Sequence, residues 1–254
     1  MASKAIFLMS DYGHDPTETA IPWRVFRDAG LTVSFATEAG KAPACDSKML
    51  TGWTGTLLGA NQAAKAAYEI LSKDTAFRQP LSWTAPGFSL VDFDLVFLPG
   101  GHERSVRQLL DSAEAQKVLV EYFETAKKPS SKVVAAICHG TQVLANATRA
   151  DGKSVLHECD TTGLPGAMEQ TVFHATRLVL GDYYKTYGAG SDSVQTAVTK
   201  KLREPSQFKS SLGSAPFIVE DATYNYLSGR FPPDSEALAK RAVELLNQAQ
   251  PRQR

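Results

Sequence analysis

The 254-residue sequence is sparing with cysteine, holding Cys45, Cys138 and Cys159 and no C-x-x-C pair. An odd count at unrelated spacings argues against a disulfide framework and suits a reducing compartment. Long apolar runs are missing as well: nothing approaches the ~18 residues of a membrane-spanning helix, and the run in the opening MASKAIFLMSDYGHD is too short for a signal peptide. A soluble, cytoplasmic protein is expected. Excess charge of either sign is absent, with 27 Lys plus Arg against 27 Asp plus Glu. That balance gives no electrostatic reason to expect nucleic acid or an anionic membrane as partner. The histidines include no i, i+4 pair and no Cys/His finger spacing, so no metal site is expected. No internal repeat or low-complexity linker divides the chain, and one domain over residues 1–254 is expected.

What the sequence does have is alternation of strand and helix patterns. AIFLMS (5–10), the helical spacing of TETAIPWRVFRDAG, and LTVSFAT (31–37) predict a β-α-β opening. DLVFLPGG (94–101) predicts another strand running into glycines, SAEAQKVLVEYFETAKK (112–128) an amphipathic helix, and KVVAAI a further buried strand. Such alternation implies an α/β fold with a mostly parallel sheet and helices on both faces. Residues 41–90 hold the helical AAKAAYEIL within polar, Gly- and Pro-bearing sequence, and are read as an insertion over one end of the sheet. Residues 160–212 hold a second helical region, read as a cap. FIVEDATYNYLSGRFP predicts a hairpin or two short strands, and DSEALAKRAVELLNQ a last helix with Asp234 or Ser235 as N-cap.

The stretch KVVAAICHG runs from a strand straight into the helix-forming TQVLANA. Small residues two positions either side of Cys138, namely Ala136 and Gly140, suit the crowded strand-to-helix turn of a nucleophile elbow. A helix N-terminus favours the thiolate, so a lowered thiol pKa is expected there. The alternative is an inert cysteine on a core strand. His139 is the acid/base candidate, since imidazole titrates near neutrality. His14 and His102 fall in loops predicted at the C-terminal ends of strands, where α/β sheets bind ligands, and are candidates for substrate contact. His157 and His174 are read as surface or loop residues. The aromatics of GDYYKTYG (181–188) are expected in the core of the cap, with Tyr183 or Tyr184 also placed to reach a pocket.

Taken together, the elbow AAICHG, the upstream FLPGGH (97–102) and the glutamate of DPTETAIPWRVFRDAGL (15–31) resemble the ThiJ/PfpI superfamily, whose fold is similar to class I glutamine amidotransferase domains. The order and spacing match over nearly the whole chain. The likeness is closest to the longer-chain branch of heat-inducible glyoxalase and chaperone proteins, in which a histidine follows the nucleophile. This resemblance implies a flavodoxin-like sheet with inserted cap regions, a homodimer and no cofactor. It places Glu18 beside the cysteine sulfur, as an acid kept protonated by its semi-buried site and donating to sulfur. It implies Gly100 and Gly101 as backbone donors of an oxyanion hole, together with the N–H of His139. It further implies a carboxylate after the elbow that orients His139; Glu169 stands at a matching place, with Asp160 and Glu158 as rivals.

The activity this implies is glutathione-independent conversion of a 2-oxoaldehyde, such as methylglyoxal, to a 2-hydroxy acid. Two other readings use the same residues. One is a hydrolase or hydratase acting on another small electrophile, such as an amide, a peptide or an isocyanide. The other is a stress chaperone or redox sensor whose Cys138 is oxidised without turnover. A small electrophilic partner belongs to the first two readings, and the acid/base residue beside the thiol favours an enzyme.

Overall fold

The computed structural model describes residues 2–57 and 59–249; of the span 1–254 read as one domain, residues 1, 58 and 250–254 lie outside the described residues. The strands are β1 (Lys4–Leu8), β2 (Tyr12–His14), β3 (Thr32–Thr37), β4 (Ala44–Cys45), β5 (Leu81–Ser82), β6 (Leu95–Leu98), β7 (Val133–Ile137), β8 (Ile218–Glu220) and β9 (Tyr226–Gly229). Seven of them form one sheet in the order β5-β3-β1-β6-β7-β9-β8, while β2 pairs with β4 apart from it. Every pairing is parallel except that of β8 with β9. This is the flavodoxin-like α/β sheet that the sequence predicts.

Apart from exposed Lys4 at the start of β1, the central strands β1, β6 and β7 are apolar throughout because both faces are covered. Ile6, Leu8, Val96, Leu98, Val134 and Ala136 pack on one face with the helices Ala113–Thr125 and His139–Asn146. Phe7, Leu95, Phe97, Val133, Ala135 and Ile137 pack on the other, against the helices Pro16–Asp28, Gln62–Leu71 and Ser235–Ala249. Among the described residues no helix is long and apolar enough to cross a membrane.

Two expectations change. Residues 41–90 do not simply lie over the sheet; they build part of it. The helix Gln62–Leu71 buries Ala64, Ala67, Tyr68 and Leu71, one face of a crossover helix, and β5 then extends the sheet beside β3. The polar stretch ahead of that helix hid an ordinary β-α-β crossover. Asp234 does not cap the last helix either. Its carboxylate accepts from Arg230 Nε and Nη2, both at 2.8 Å, and from Phe217 N at 2.9 Å. Arg230 and Asp234 are both wholly buried, and the guanidinium also donates to the carbonyls of Ser211, Gly213 and Ala215. This clamp pins the loop that leads into β8. The predicted terminal hairpin is present as β8 and β9.

From β1 the chain steps outward through β3 to β5, then returns to the opposite side of β1 at β6. The crevice beyond the C-terminal ends of β1 and β6 is therefore the topological switch point, the place where open α/β sheets bind ligands. The segments that follow β1, β6 and β7 carry Glu18, Gly100 and Cys138 to that crevice.

Candidate active site

Cys138 is the one non-glycine residue at positive φ among the described residues, with φ 58° and ψ −122°. Such a conformation costs about 1–3 kcal/mol and persists only where its surroundings impose it. Here β9 holds the turn from one side, the Cys138 N–H donating to the Gly229 carbonyl at 3.1 Å. Glycines hold it from the other. A Cβ on Gly140 would overlap the Leu98 carbonyl, and one on Gly100 would lie 2.5 Å from Glu18 Oε2 and 2.6 Å from Cys138 Cβ. Backbone, acid and nucleophile are thus packed to contact distance.

The Cys138 sulfur lies 3.5 Å from His139 Nδ1. On the far side of the ring, Nε2 is 2.9 Å from the Thr186 hydroxyl, which itself donates to the His102 carbonyl at 2.9 Å. A hydroxyl has one proton to give. Since Thr186 gives it to His102, it can only accept from His139, so Nε2 carries the imidazole proton and Nδ1 turns a lone pair to the thiol. Burial, reinforced by His102 and Lys185, lowers the His139 pKa to about 3, so the ring is neutral and ready to accept a proton.

Burial also pushes the Cys138 thiol well above its ordinary range, and Glu18 and Asp15 push the same way whenever they are ionised; the N–H of His139 opposes them with less effect. This reverses the expectation of a preformed thiolate: helix-terminus stabilisation is present but desolvation outweighs it. The resting pair is a neutral thiol facing a neutral base. Glu18 is wholly buried, and desolvation, with Asp15 nearby, raises its pKa well above the carboxylate range. Burial thus favours its neutral form. Its Oε2 accepts from the Gly100 N–H at 3.0 Å. Gly100 is therefore committed to Glu18 and is not free to serve as an oxyanion donor. Asp15 caps the Glu18 helix through Thr17 N and Glu18 N at 2.7 and 3.0 Å, and burial raises it to about 6.

A cavity of about 170 Å³ opens over the sulfur. Asp15, Glu18, Gly101, His102, Cys138, Glu169 and Tyr184 reach it, and apolar side chains make up the rest of its wall. His102 is thus where substrate contact was expected. His14 is not: it is 1% exposed, hydrogen-bonds Tyr68 through Nε2 at 3.2 Å and packs on Phe77 outside the cavity. Glu169 reaches the cavity but does not orient His139. Its Oε1 accepts from the buried Lys185 Nζ at 2.8 Å and its Oε2 from Val194 N at 2.9 Å. Lys185, one residue before Thr186, captures the carboxylate and leaves the imidazole to a hydroxyl. Asp160 and Glu158 are paired with Lys209 and Arg203 instead.

Thr186 and Asp46 are the site residues that sequence reasoning passed over, whereas Tyr184, read in the cap core and placed to reach a pocket, borders the cavity. Asp46 is buried and accepts a hydrogen bond from Tyr183, which positions the 183–187 segment over the site. Of these only the aromatic run GDYYKTYG offered a signal; a threonine within it carries no motif.

A ThiJ/PfpI family-like model matches residues 9–210. An uncharacterized protein of Schizosaccharomyces pombe is 27% identical over 252 residues, covering 97% of this chain and 85% of its own. Glyoxalase III from Candida albicans superposes with a TM-score of 0.69 at 17% identity, covering 96% of this chain and 97% of that one. DJ-1beta of Drosophila melanogaster gives 0.56 at 16% identity, covering 98% and 96%. At these identities the two structures attest the shared fold.

Proposed function

Because this chain belongs to the ThiJ/PfpI family, we propose that it is a cofactor-free cysteine enzyme that converts small 2-oxoaldehydes, methylglyoxal among them, to 2-hydroxy acids. The observation that carries this reading is the line Cys138 Sγ, His139 Nδ1, His139 Nε2, Thr186 Oγ1, whose Cys138 end borders a cavity of about 170 Å³. A cavity near 150 Å³ holds a benzene-sized ligand. A three-carbon oxoaldehyde fits with room to turn.

Sulfur attacks the aldehyde carbon as its proton passes to Nδ1. The carbonyl electrons move to oxygen, which meets the N–H groups of Gly101 and His139 and then takes the proton, giving a hemithioacetal. His139 next removes the proton from that carbon, forming an enediol, and returns it to the neighbouring carbon. The product is a thioester of the 2-hydroxy acid. Water cleaves the C–S bond, releasing the acid and restoring the thiol. Neutral Glu18 adds no charge to oppose thiolate character as sulfur attacks.

The test is lactate formation from methylglyoxal by the purified protein without glutathione or added metal, with Cys138→Ala as control. Lactate from wild type alone supports the reading. Absence of lactate, with consumption of amides or isocyanides that depends on Cys138, replaces it with the hydrolase or hydratase alternative. Holdase activity that appears only on oxidation of Cys138, without turnover of any of these compounds, replaces it with the chaperone alternative.

A further inference from the structure

The wall of the cavity over Cys138 is largely apolar, formed by Met49, Leu164, Met168, Val172, Phe231 and Pro232. Tyr184 borders it, and its hydroxyl oxygen is shielded from solvent and has no hydrogen-bond partner. His102 Nε2 is in the same condition, and the two rings stack with centroids 4.4 Å apart and planes at 24°. A buried polar group without a partner costs about 1–3 kcal/mol, and such groups in native structures call for an explanation. Burial, with Asp46 and Asp15 adding to it, pushes the Tyr184 phenol up to about 12, so it keeps its proton and acts as a donor. The chemistry above occupies the donors near sulfur with one substrate oxygen, the one on the attacked carbon. A 2-oxoaldehyde has a second oxygen one carbon further on, and none of the groups assigned so far holds it.

We propose that Tyr184 is the catalytic residue that binds and protonates this second oxygen, an inference that rests on the oxoaldehyde reading of the site. As His139 removes the proton from the sulfur-bearing carbon, the C–H electrons form the C=C bond of the enediol. The ketone π electrons move to oxygen, which takes the Tyr184 proton. When His139 returns its proton to the former ketone carbon, the C=C electrons form that C–H bond. The hydroxyl on the sulfur-bearing carbon then gives its proton to the tyrosinate as it becomes the thioester carbonyl. Protons and electrons balance, and Tyr184 ends as it began. The apolar wall accommodates the alkyl end of the substrate, which carries no further polar group for the site to satisfy.

Tyr184→Phe keeps the ring against His102 and removes only the oxygen. The rate at which limiting iodoacetamide alkylates Cys138 should stay at the wild-type value, showing that the elbow and dyad are intact. Turnover of methylglyoxal should fall by roughly 10²-fold or more, the usual contribution of a positioned acid. A second readout needs no turnover: protection of Cys138 from iodoacetamide by methylglyoxal and by propanal, which has the same carbon count and lacks the second oxygen. In Tyr184→Phe the half-protecting concentration of methylglyoxal should rise about tenfold, the loss of one buried hydrogen bond, while that of propanal stays constant. If wild type makes no lactate, the oxoaldehyde reading fails, and the protection comparison alone decides the role of Tyr184. Equal protection of wild type and Tyr184→Phe by methylglyoxal overturns the proposal.

Discussion

Thr186→Val is the substitution that most directly probes how the dyad is set. Valine matches threonine in shape and removes one oxygen, which in the structure lies 2.9 Å from His139 Nε2 and 2.9 Å from the His102 carbonyl. The Nε2 proton is then buried without an acceptor, at a cost of about 1–3 kcal/mol. The ring can escape that cost by moving its proton to Nδ1, where it faces the sulfur and blocks proton transfer. Either way the transition state loses the same interaction, equivalent to roughly 5- to 150-fold in kcat/KM. The assay is lactate formation from methylglyoxal across pH, beside a thermal melt. Thr186→Ser should recover activity to within a few-fold, because it restores the hydroxyl. Wild-type kcat/KM in Thr186→Val, or an equal loss in Thr186→Ser, would refute the tautomer argument.

Three further outcomes follow from the packing and the buried charges. Gly100→Ala should lower both activity and Tm, because the new methyl would lie 2.5 Å from Glu18 Oε2 and 2.6 Å from Cys138 Cβ; overpacking typically costs about 1–3 kcal/mol. Thermal melts and thiol alkylation check it. Glu169→Gln should destabilise the fold by about 3–5 kcal/mol, since it strands the buried Lys185 ammonium, and pairing it with Lys185→Met should restore much of the loss. Acid should unfold the protein early. Burial holds His14, His102 and His139 at about 3 against an ordinary 6.5, so the unfolded chain takes up their protons first and stability drains away as pH falls through that window. Asp15, raised to about 6 by burial, and Glu18, which burial raises well above the usual carboxylate range, oppose this: their contribution is present at low pH and lost as pH rises through each folded value. Three groups against two leave a fall in Tm below about pH 6.5, and His14→Phe should make that fall shallower.

The parts of the site that were legible in the sequence are those dictated by local geometry. A strand that turns into a helix through Cys138 needs Gly140 beside it, and a carboxylate three residues past an Asp-Pro cap must sit in the first turn of a helix, so both could be placed from neighbours alone. The same local reasoning misjudged the thiol, because a helix N-terminus is visible in sequence whereas desolvation is a property of the assembled fold. Glu169 failed for a related reason. It stands at a suitable distance along the chain, but Lys185, sixteen residues later, is brought back against it and takes the carboxylate. Thr186 is 47 residues from the histidine it fixes, and nothing about a threonine announces that partnership. The crossover helix Gln62–Leu71 was read as helical, yet its place in the sheet depends on β5, a two-residue strand too short to register as a pattern.

The family match stops at residue 210, yet the pocket does not. Phe231 and Pro232 form part of its wall, and the carbonyl of Gly229 fastens the turn that bears the nucleophile. Because the Arg230–Asp234 clamp gathers residues 211–217 around this stretch, one buried ion pair ties the C-terminal hairpin both to the pocket wall and to the turn that holds Cys138.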